Sequence, residues 1–163
     1  MKSYENLPHI KEYIRQQSLI PLEEFELQFW KTVKRIGKFK TLNEKTKILE
    51  VGTGIGWFPI LCKKNGIFCE GLEISPQLVE YGKTLGRKYA IEPNIEIGNI
   101  EESDIGTSKY DIVITLSAFE HVEHWQVGIR RIFNALKPGG LFYFYSTNRY
   151  SLFSVEFNFP LYG

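Results

Sequence analysis

The chain has 163 residues, of which 43% are hydrophobic and 24% charged, and its formal net charge is +1. That is enough apolar material for one sizeable core, and the balanced charge argues against a partner recognised through a general field, nucleic acid above all. No stretch reaches the roughly 18 apolar residues of a membrane span. The first residues are charged and lack a signal-peptide core, and Cys62 and Cys69 are too few for a disulfide framework, so a reducing cytoplasm is the expected location.

In chain order, two helices are expected first. His9 to Leu19 is a short candidate. Pro21 to Lys38 is stronger, because Leu22, Phe25, Phe29, Val33 and Ile36 recur at helical spacing. Glu23, Glu24 and Glu26 stand near its start and Lys31, Lys34, Arg35 and Lys38 near its end, as the helix dipole favours. Core packing accounts for the apolar stripe. From Lys31 to Lys47 seven Lys or Arg face a single acid, Glu44. Without aromatic interleaving in the loop, this basic run reads as a solvated helix end.

Residues 48–56 read Ile-Leu-Glu-Val-Gly-Thr-Gly-Ile-Gly, an apolar strand running into glycines at alternate positions. Gly52, Gly54 and Gly56 let the chain turn sharply and bring bare backbone against a ligand. A glycine turn before a helix also aims free N–H groups at polar ligand atoms. The spacing narrows the ligand. A dinucleotide loop places its third glycine one residue later, where this chain has Trp57, and an indole there obstructs a pyrophosphate. The lysine of a P-loop is missing too. The loop suits a nucleoside without a phosphate chain, or else is a tight strand–helix turn of another α/β protein. Trp57 either lines that pocket or packs beneath the helix.

A second buried strand, Phe68 to Ile74, carries Glu73, which lies 21 residues after Gly52. That is close to the roughly 20-residue spacing known for ribose recognition, and a carboxylate can take both ribose hydroxyls. The plainer alternative is an acid that favours the dipole of the helix opened by Ser75 and Pro76.

Strands are expected near 47–51, 68–73, 94–97, 111–115 and 141–146, and helices near 56–65, 76–89 and 124–136, with an irregular crossing at 101–108. This alternation implies right-handed crossovers and an α/β fold with a doubly wound, mostly parallel sheet. Ligands bind such sheets at the carboxyl ends of the strands. Gly52 to Gly56, Glu73, Asn99 and Thr115 to Ser117 all fall there.

Taken together, these motifs resemble the class I S-adenosylmethionine-dependent methyltransferases. Glu50-Val51-Gly52-Thr53-Gly54-Ile55-Gly56 looks like that family's first motif, and Glu73 matches its ribose-binding acid. Gly98-Asn99-Ile100 matches the third, where the family usually has Asp beside the adenine. Tyr110 to Thr115 looks like the fourth strand, and Leu136-Lys137-Pro138-Gly139-Gly140 like the turn before the fifth. The resemblance covers residues 46–149 and implies a Rossmann-like methyltransferase fold that binds S-adenosyl-L-methionine. Carried over residue by residue, the cofactor site comprises Glu50, Gly52, Thr53, Gly54, Gly56, Glu73, Ile74, Asn99, Ile100, Thr115 and Ser117.

Phe119-Glu120-His121-Val122 and Asn148-Arg149 are similar to the ubiquinone-biosynthesis O-methyltransferases. Those enzymes carry a further Glu, implicated in metal binding, where this chain has Ser117, so no metal is expected. The resemblance implies methyl transfer to a small molecule, with a hydroxyl oxygen as the favoured acceptor. His121 is the candidate base, ahead of His124, because histidine titrates near neutral pH. Either histidine is alternatively a structural residue at a helix start. A cofactor-binding protein without activity and a nicotinamide oxidoreductase are the competing readings, the latter disfavoured by Trp57. A nucleic-acid amino-methyltransferase is disfavoured because Thr115-Leu116-Ser117-Ala118 lacks the Asp/Asn-Pro-Pro-aromatic motif.

The expected organisation is a helical cap at 1–45, a cofactor-binding core at 46–149, and the start of a substrate region at 150–163. A sheet of this kind usually continues with two more strands. Phe153, Val155, Phe157 and Phe159 alternate with Ser154, Glu156 and Asn158, and the chain reads as an N-terminal fragment of a longer enzyme.

Overall fold

The five apolar runs form five strands of one parallel sheet, in a computed structural model that describes residues 8–146. Two helices lead, α1 (Pro8–Ser18) and α2 (Leu22–Ile36). Then follow β1 (Lys47–Val51), α3 (Trp57–Lys64), β2 (Phe68–Glu73), α4 (Pro76–Lys88), β3 (Asn94–Ile97), β4 (Tyr110–Leu116), a 3₁₀ turn (Phe119–His121), α5 (Trp125–Ala135) and β5 (Leu136–Tyr145). The strand order is β3-β2-β1-β4-β5, so the winding reverses between β1 and β4. That reversal opens a crevice at the carboxyl ends of the strands. The expected continuation of the sheet, and the alternating Phe153 to Phe159 tail, lie outside the described residues.

Strand alternation sends neighbouring side chains to opposite faces. Ile48, Ile112 and Ile114 join Phe29 and Ile36 of α2 and Phe58, Leu61 and Cys62 of α3. Leu49, Val51 and Val113 pack on the other face with Phe119 and with Ile132 and Ala135 of α5. The expected stripe of α2 is therefore core, with Leu22, Phe25 and Val33 packed beside Phe29 and Ile36. Cys62 and Cys69 are free and buried, and burial pushes the Cys69 thiol up, with Cys62 beside it. The lysines and arginine of the basic run are exposed, except Lys40, whose ammonium donates to Gly139 O at 3.0 Å.

Ser75 caps α4 as its sequence predicts, its hydroxyl accepting from Leu78 N–H at 3.4 Å with Pro76 at the first position. One boundary differs from expectation. Leu136 to Gly140 is not a turn that precedes the fifth strand. Leu136 already pairs with Tyr110, and pairing resumes with Leu141 opposite Ile112. The Lys-Pro-Gly-Gly segment is thus an irregularity inside β5. Gly139, at φ 72°, supplies the backbone conformation such a detour needs.

Candidate functional site

The site begins where β1 ends. Gly52, Gly54 and Gly56 all adopt left-handed conformations, with φ of 72°, 56° and 74°. At Gly52 a side chain is doubly excluded, because a Cβ there runs into that of Ala118 just beyond β4. Gly52 N–H and Thr53 N–H donate to Leu72 O at 2.8 and 3.2 Å, binding the turn to β2. Gly56 is the N-cap residue of α3.

Glu73 links the turn to α4. Its carboxylate accepts Gly54 N–H at 2.8 Å through one oxygen and Ser75 N–H at 3.0 Å through the other. Burial raises its pKa, while the backbone N–H groups of Ser75, Gly54 and Ile74 pull the other way. Each oxygen keeps lone-pair capacity for a further donor. The acid that supports the start of α4 is thus also bonded to the glycine turn.

Glu50, on the helix-covered face of β1, accepts a hydrogen bond from the Thr53 hydroxyl. Burial pushes its pKa up to about 8, with the Glu73 charge adding to the shift and the Thr53 hydroxyl opposing it. At neutral pH this carboxyl holds its proton until a cation comes close.

A cavity of about 230 Å³ lies between this turn and the leading helices. Glu50, Gly52, Thr53 and Gly54 form its floor, and Leu116 and Ser117 at the end of β4 form one side. Ser117 is a non-glycine residue at φ 52°, held there as its N–H donates to Tyr145 O at 2.8 Å. Such strain concentrates at ligand sites. The opposite side comes from α1, through Tyr13 and Gln17, and from α2, through Phe25, Gln28 and Thr32. The Tyr13 hydroxyl lies 3.1 Å from the point where a Gly54 Cβ would stand. Trp57 is among the residues that line the cavity, and its ring is stacked on Phe25 with centroids 4.0 Å apart.

The structure thus gathers Glu50, Gly52, Thr53, Gly54 and Ser117 on one cavity, with Glu73 joined to them through Gly54. Other expected residues stand apart. Thr115 is fully buried, and by alternation it points to the α5 face, away from Glu50. Ile100 is in the α5-side core. Asn99 follows β3, with Oδ1 accepting Glu101 N–H at 2.9 Å, which ties half of its amide into a local turn. Ile74 is half-buried between Glu73 and the α4 cap. His121 is exposed on the 3₁₀ turn and is not in the cavity wall, and His124 stands just before α5 without capping it. Among the described residues no three His, Cys, Asp or Glu side chains converge as metal ligands.

Sequence reading missed Gln17, Gln28 and Thr32. A signal was present, since Gln28 and Thr32 sit at helical spacing beside Phe25 and Phe29 on an otherwise apolar face. Thr32 is buried on that stripe, and a buried polar group there points to a lined cavity more than to a sealed core, while Gln28 is exposed and its amide donates to Glu24 Oε1 at 3.2 Å.

Comparison with known proteins agrees with this fold. Residues 22–157 match the family described as the methyltransferase domain. The ubiquinone biosynthesis O-methyltransferase of Coxiella burnetii is 27% identical over 120 residues, covering 70% of this chain and 51% of that protein. The chain spans about half the length of the curated relatives of this kind that it matches. A Methanococcus maripaludis structure assigned as an S-adenosyl-L-methionine-dependent methyltransferase superposes with a TM-score of 0.72 at 18% identity, covering 90% of this chain and 67% of that one. Phosphoethanolamine N-methyltransferase 2 of Haemonchus contortus, in complex with S-adenosyl-L-methionine, superposes with a TM-score of 0.60 at 19% identity, covering 69% and 27%. At these identities the structures speak to the fold, while the family match extends over most of the residues described above. The chain belongs to the methyltransferase-domain family.

Proposed function

We propose that the chain binds S-adenosyl-L-methionine at the glycine turn and transfers its methyl group to a small-molecule acceptor. The bond from Gly54 N–H to Glu73 carries this reading, because it sets bare backbone and a buried carboxylate side by side at the sheet's switch point. The residues present fit that ligand. Side chains are excluded at Gly52, the Glu73 oxygens have capacity for two ribose hydroxyls, and Glu50 is a buried acid suited to a cationic group. Asn99 keeps its amide N–H₂ for an adenine edge.

When bound, this cofactor supplies a methyl group made electrophilic by a sulfonium. The chain's task is to hold an acceptor in line with it and keep water out, and such positioning is worth about 7–11 kcal/mol in favourable cases. Strained Ser117 and the α1–α2 wall border the space where the acceptor enters. A hydroxyl acceptor needs a base. His121 is the candidate, three residues beyond the Ala118 that abuts Gly52. The relative named as an O-methyltransferase favours oxygen, and the neutral charge balance favours a small molecule over nucleic acid.

Calorimetry with S-adenosyl-L-methionine and S-adenosylhomocysteine tests the reading. Wild type binds both, and Glu73→Ala weakens binding by roughly 1–3 kcal/mol. A wild type that binds neither ligand refutes the reading, and an unchanged Glu73→Ala removes that acid from the site.

A further inference from the structure

Folding makes the outer side of α2 and the turn after it a basic surface set with apolar side chains. Leu27, Trp30, Lys31 and Lys34 are three or four positions apart, so they stand together on one side of the helix. That side is turned away from the buried stripe of Phe29, Thr32 and Ile36. Leu27 is exposed, and Trp30 is 50% exposed although it meets Phe29 edge-on at 5.1 Å. Lys38 N–H and Phe39 N–H donate to Arg35 O and Ile36 O at 3.3 and 2.9 Å, so the winding continues past the helix end and brings Lys38 into line with Lys34. Phe39 follows at 76% exposure. An aromatic residue therefore does stand within the loop of the basic run, and a second stands just before it, which a plain solvated helix end does not require.

The chain carries the pattern on to the amino ends of the strands. Lys45 and Lys47 are exposed where the chain enters β1, and Lys47 is in register with Phe68, itself exposed, at the start of β2. Among the described residues none of Lys31, Lys34, Lys38, Lys45 and Lys47 forms an ion pair, whereas Lys64, Lys109 and Lys137 each hold a carboxylate. Glu44 is the one acid between Lys31 and Lys47, and Glu23 and Glu24 stand at the other end of α2.

Exposed apolar side chains scattered singly are ordinary. Grouped among unpaired cations on a convex helix face, they have a more specific meaning. Single-stranded nucleic acid is held in a charged groove, and the outside of a helix is not one. A bilayer with anionic lipid offers a plane on which headgroups meet lysines while Trp, Phe and Leu enter the interface. The small net charge of +1 does not oppose such contact, because salt limits the reach of a charge to about 8 Å under physiological conditions and only the facing side chains count.

We infer that the outer side of α2, with the turn through Phe39, is a docking surface for an anionic lipid bilayer. The surface is separate from the glycine-turn cavity, since Trp30, Lys34, Lys38 and Phe39 are not in its wall. The chain can therefore dock with its cavity uncovered, and the inference does not depend on the proposed function.

Co-sedimentation of the full chain with lipid vesicles tests it. Wild type is expected to pellet with phosphatidylcholine vesicles that contain phosphatidylglycerol, to stay in solution with phosphatidylcholine alone, and to be released by added salt. Lys34→Glu/Lys38→Glu is expected to weaken partitioning by at least about tenfold, and Phe39→Ser by about fivefold. All three positions are exposed, and thermal unfolding checks that the variants fold. Should the charge reversal unfold the chain, Lys34→Gln/Lys38→Gln takes its place with a loss of the same sign. A wild type that ignores anionic vesicles, equal binding to both kinds of vesicle, or binding that no variant weakens overturns the inference. Retention on single-stranded RNA without vesicle binding assigns the surface to nucleic acid and overturns it as well. The variants keep wild-type affinity for S-adenosylhomocysteine, so failure at the bilayer and failure of the proposed function are read separately.

Discussion

Glu50 and Thr53 lie three residues apart across the start of the glycine turn, and the hydroxyl of one donates to the carboxyl of the other. The consequence is a pH dependence with a definite sign. In the folded chain the Glu50 pKa stands at about 8 against an ordinary 4.5, so the native state binds more protons than the unfolded one between those values. Stability therefore falls as pH rises through that window. Burial of Glu73 raises its pKa and acts in the same direction. Denaturant unfolding at fixed salt is expected to show native stability lower at pH 8 than at pH 5, by up to about 4 kcal/mol from Glu50. Glu50→Gln is expected to flatten that slope, and an unchanged slope assigns it to other groups. At this scale the glycine turn and the acid bonded to it were legible. A glycine's lack of a side chain and an acid's place at a strand end are local facts, which is why Gly52, Gly54 and Glu73 were readable. The indole N–H of Trp57, buried without an acceptor among the described residues, was not, because an unmet hydrogen bond depends on everything packed around it.

Among the elements, the turn between β1 and α3 has the least tolerance. Gly52 combines a left-handed backbone with a Cβ position already taken by Ala118. Gly52→Ala is expected to cost at least about 1–2 kcal/mol from the backbone alone, with more from pushing β4's following residue away. A urea midpoint unchanged from wild type refutes the clash. The element boundaries show how far periodicity reaches. Helix and strand spacing placed α2 and β1 to β4 within a residue or two, because their apolar faces meet a core. Pro-Gly-Gly in the fifth strand reads as a turn on composition, since these residues favour turns wherever they occur. Pairing of Leu136 with Tyr110 overrides that preference and leaves a detour within the strand.

At the level of the whole molecule, stability rests on two apolar layers on either side of one sheet. Phe29 is the joint on the site-bearing side. It is buried, packs against Phe58 of α3 at 5.2 Å between ring centroids, and belongs to the cluster that includes Ile48, Ile112 and Ile114. Phe29→Ala is expected to cost about 3–5 kcal/mol. It is also expected to weaken ligand binding, because α2 carries Phe25, Gln28 and Thr32 into the cavity wall. Thermal unfolding with and without S-adenosylhomocysteine reads both effects, and a ligand-induced shift equal to wild type separates the core from the site. On the far side β5 has β4 as its one neighbour among the described residues, and Phe144 and Tyr145 are exposed near its end, as expected of an edge strand.

The amino-acid sequence by itself determined the winding of the sheet, the glycine turn and the acid beside it. Each of these follows from short-range rules, namely the period of apolar residues, the conformations open to glycine, and the spacing along a βαβ unit. Tertiary structure alone decided which of the expected residues share a cavity. Thr115 and Ser117 are two positions apart, yet alternation buries the first beneath α5 while a left-handed backbone turns the chain at the second beside the cavity. Tyr13 and Thr32 share a cavity with the glycine turn only because α1 and α2 fold back across it. Such meetings depend on which helix face finds which sheet face, a choice made by the packing of the whole chain.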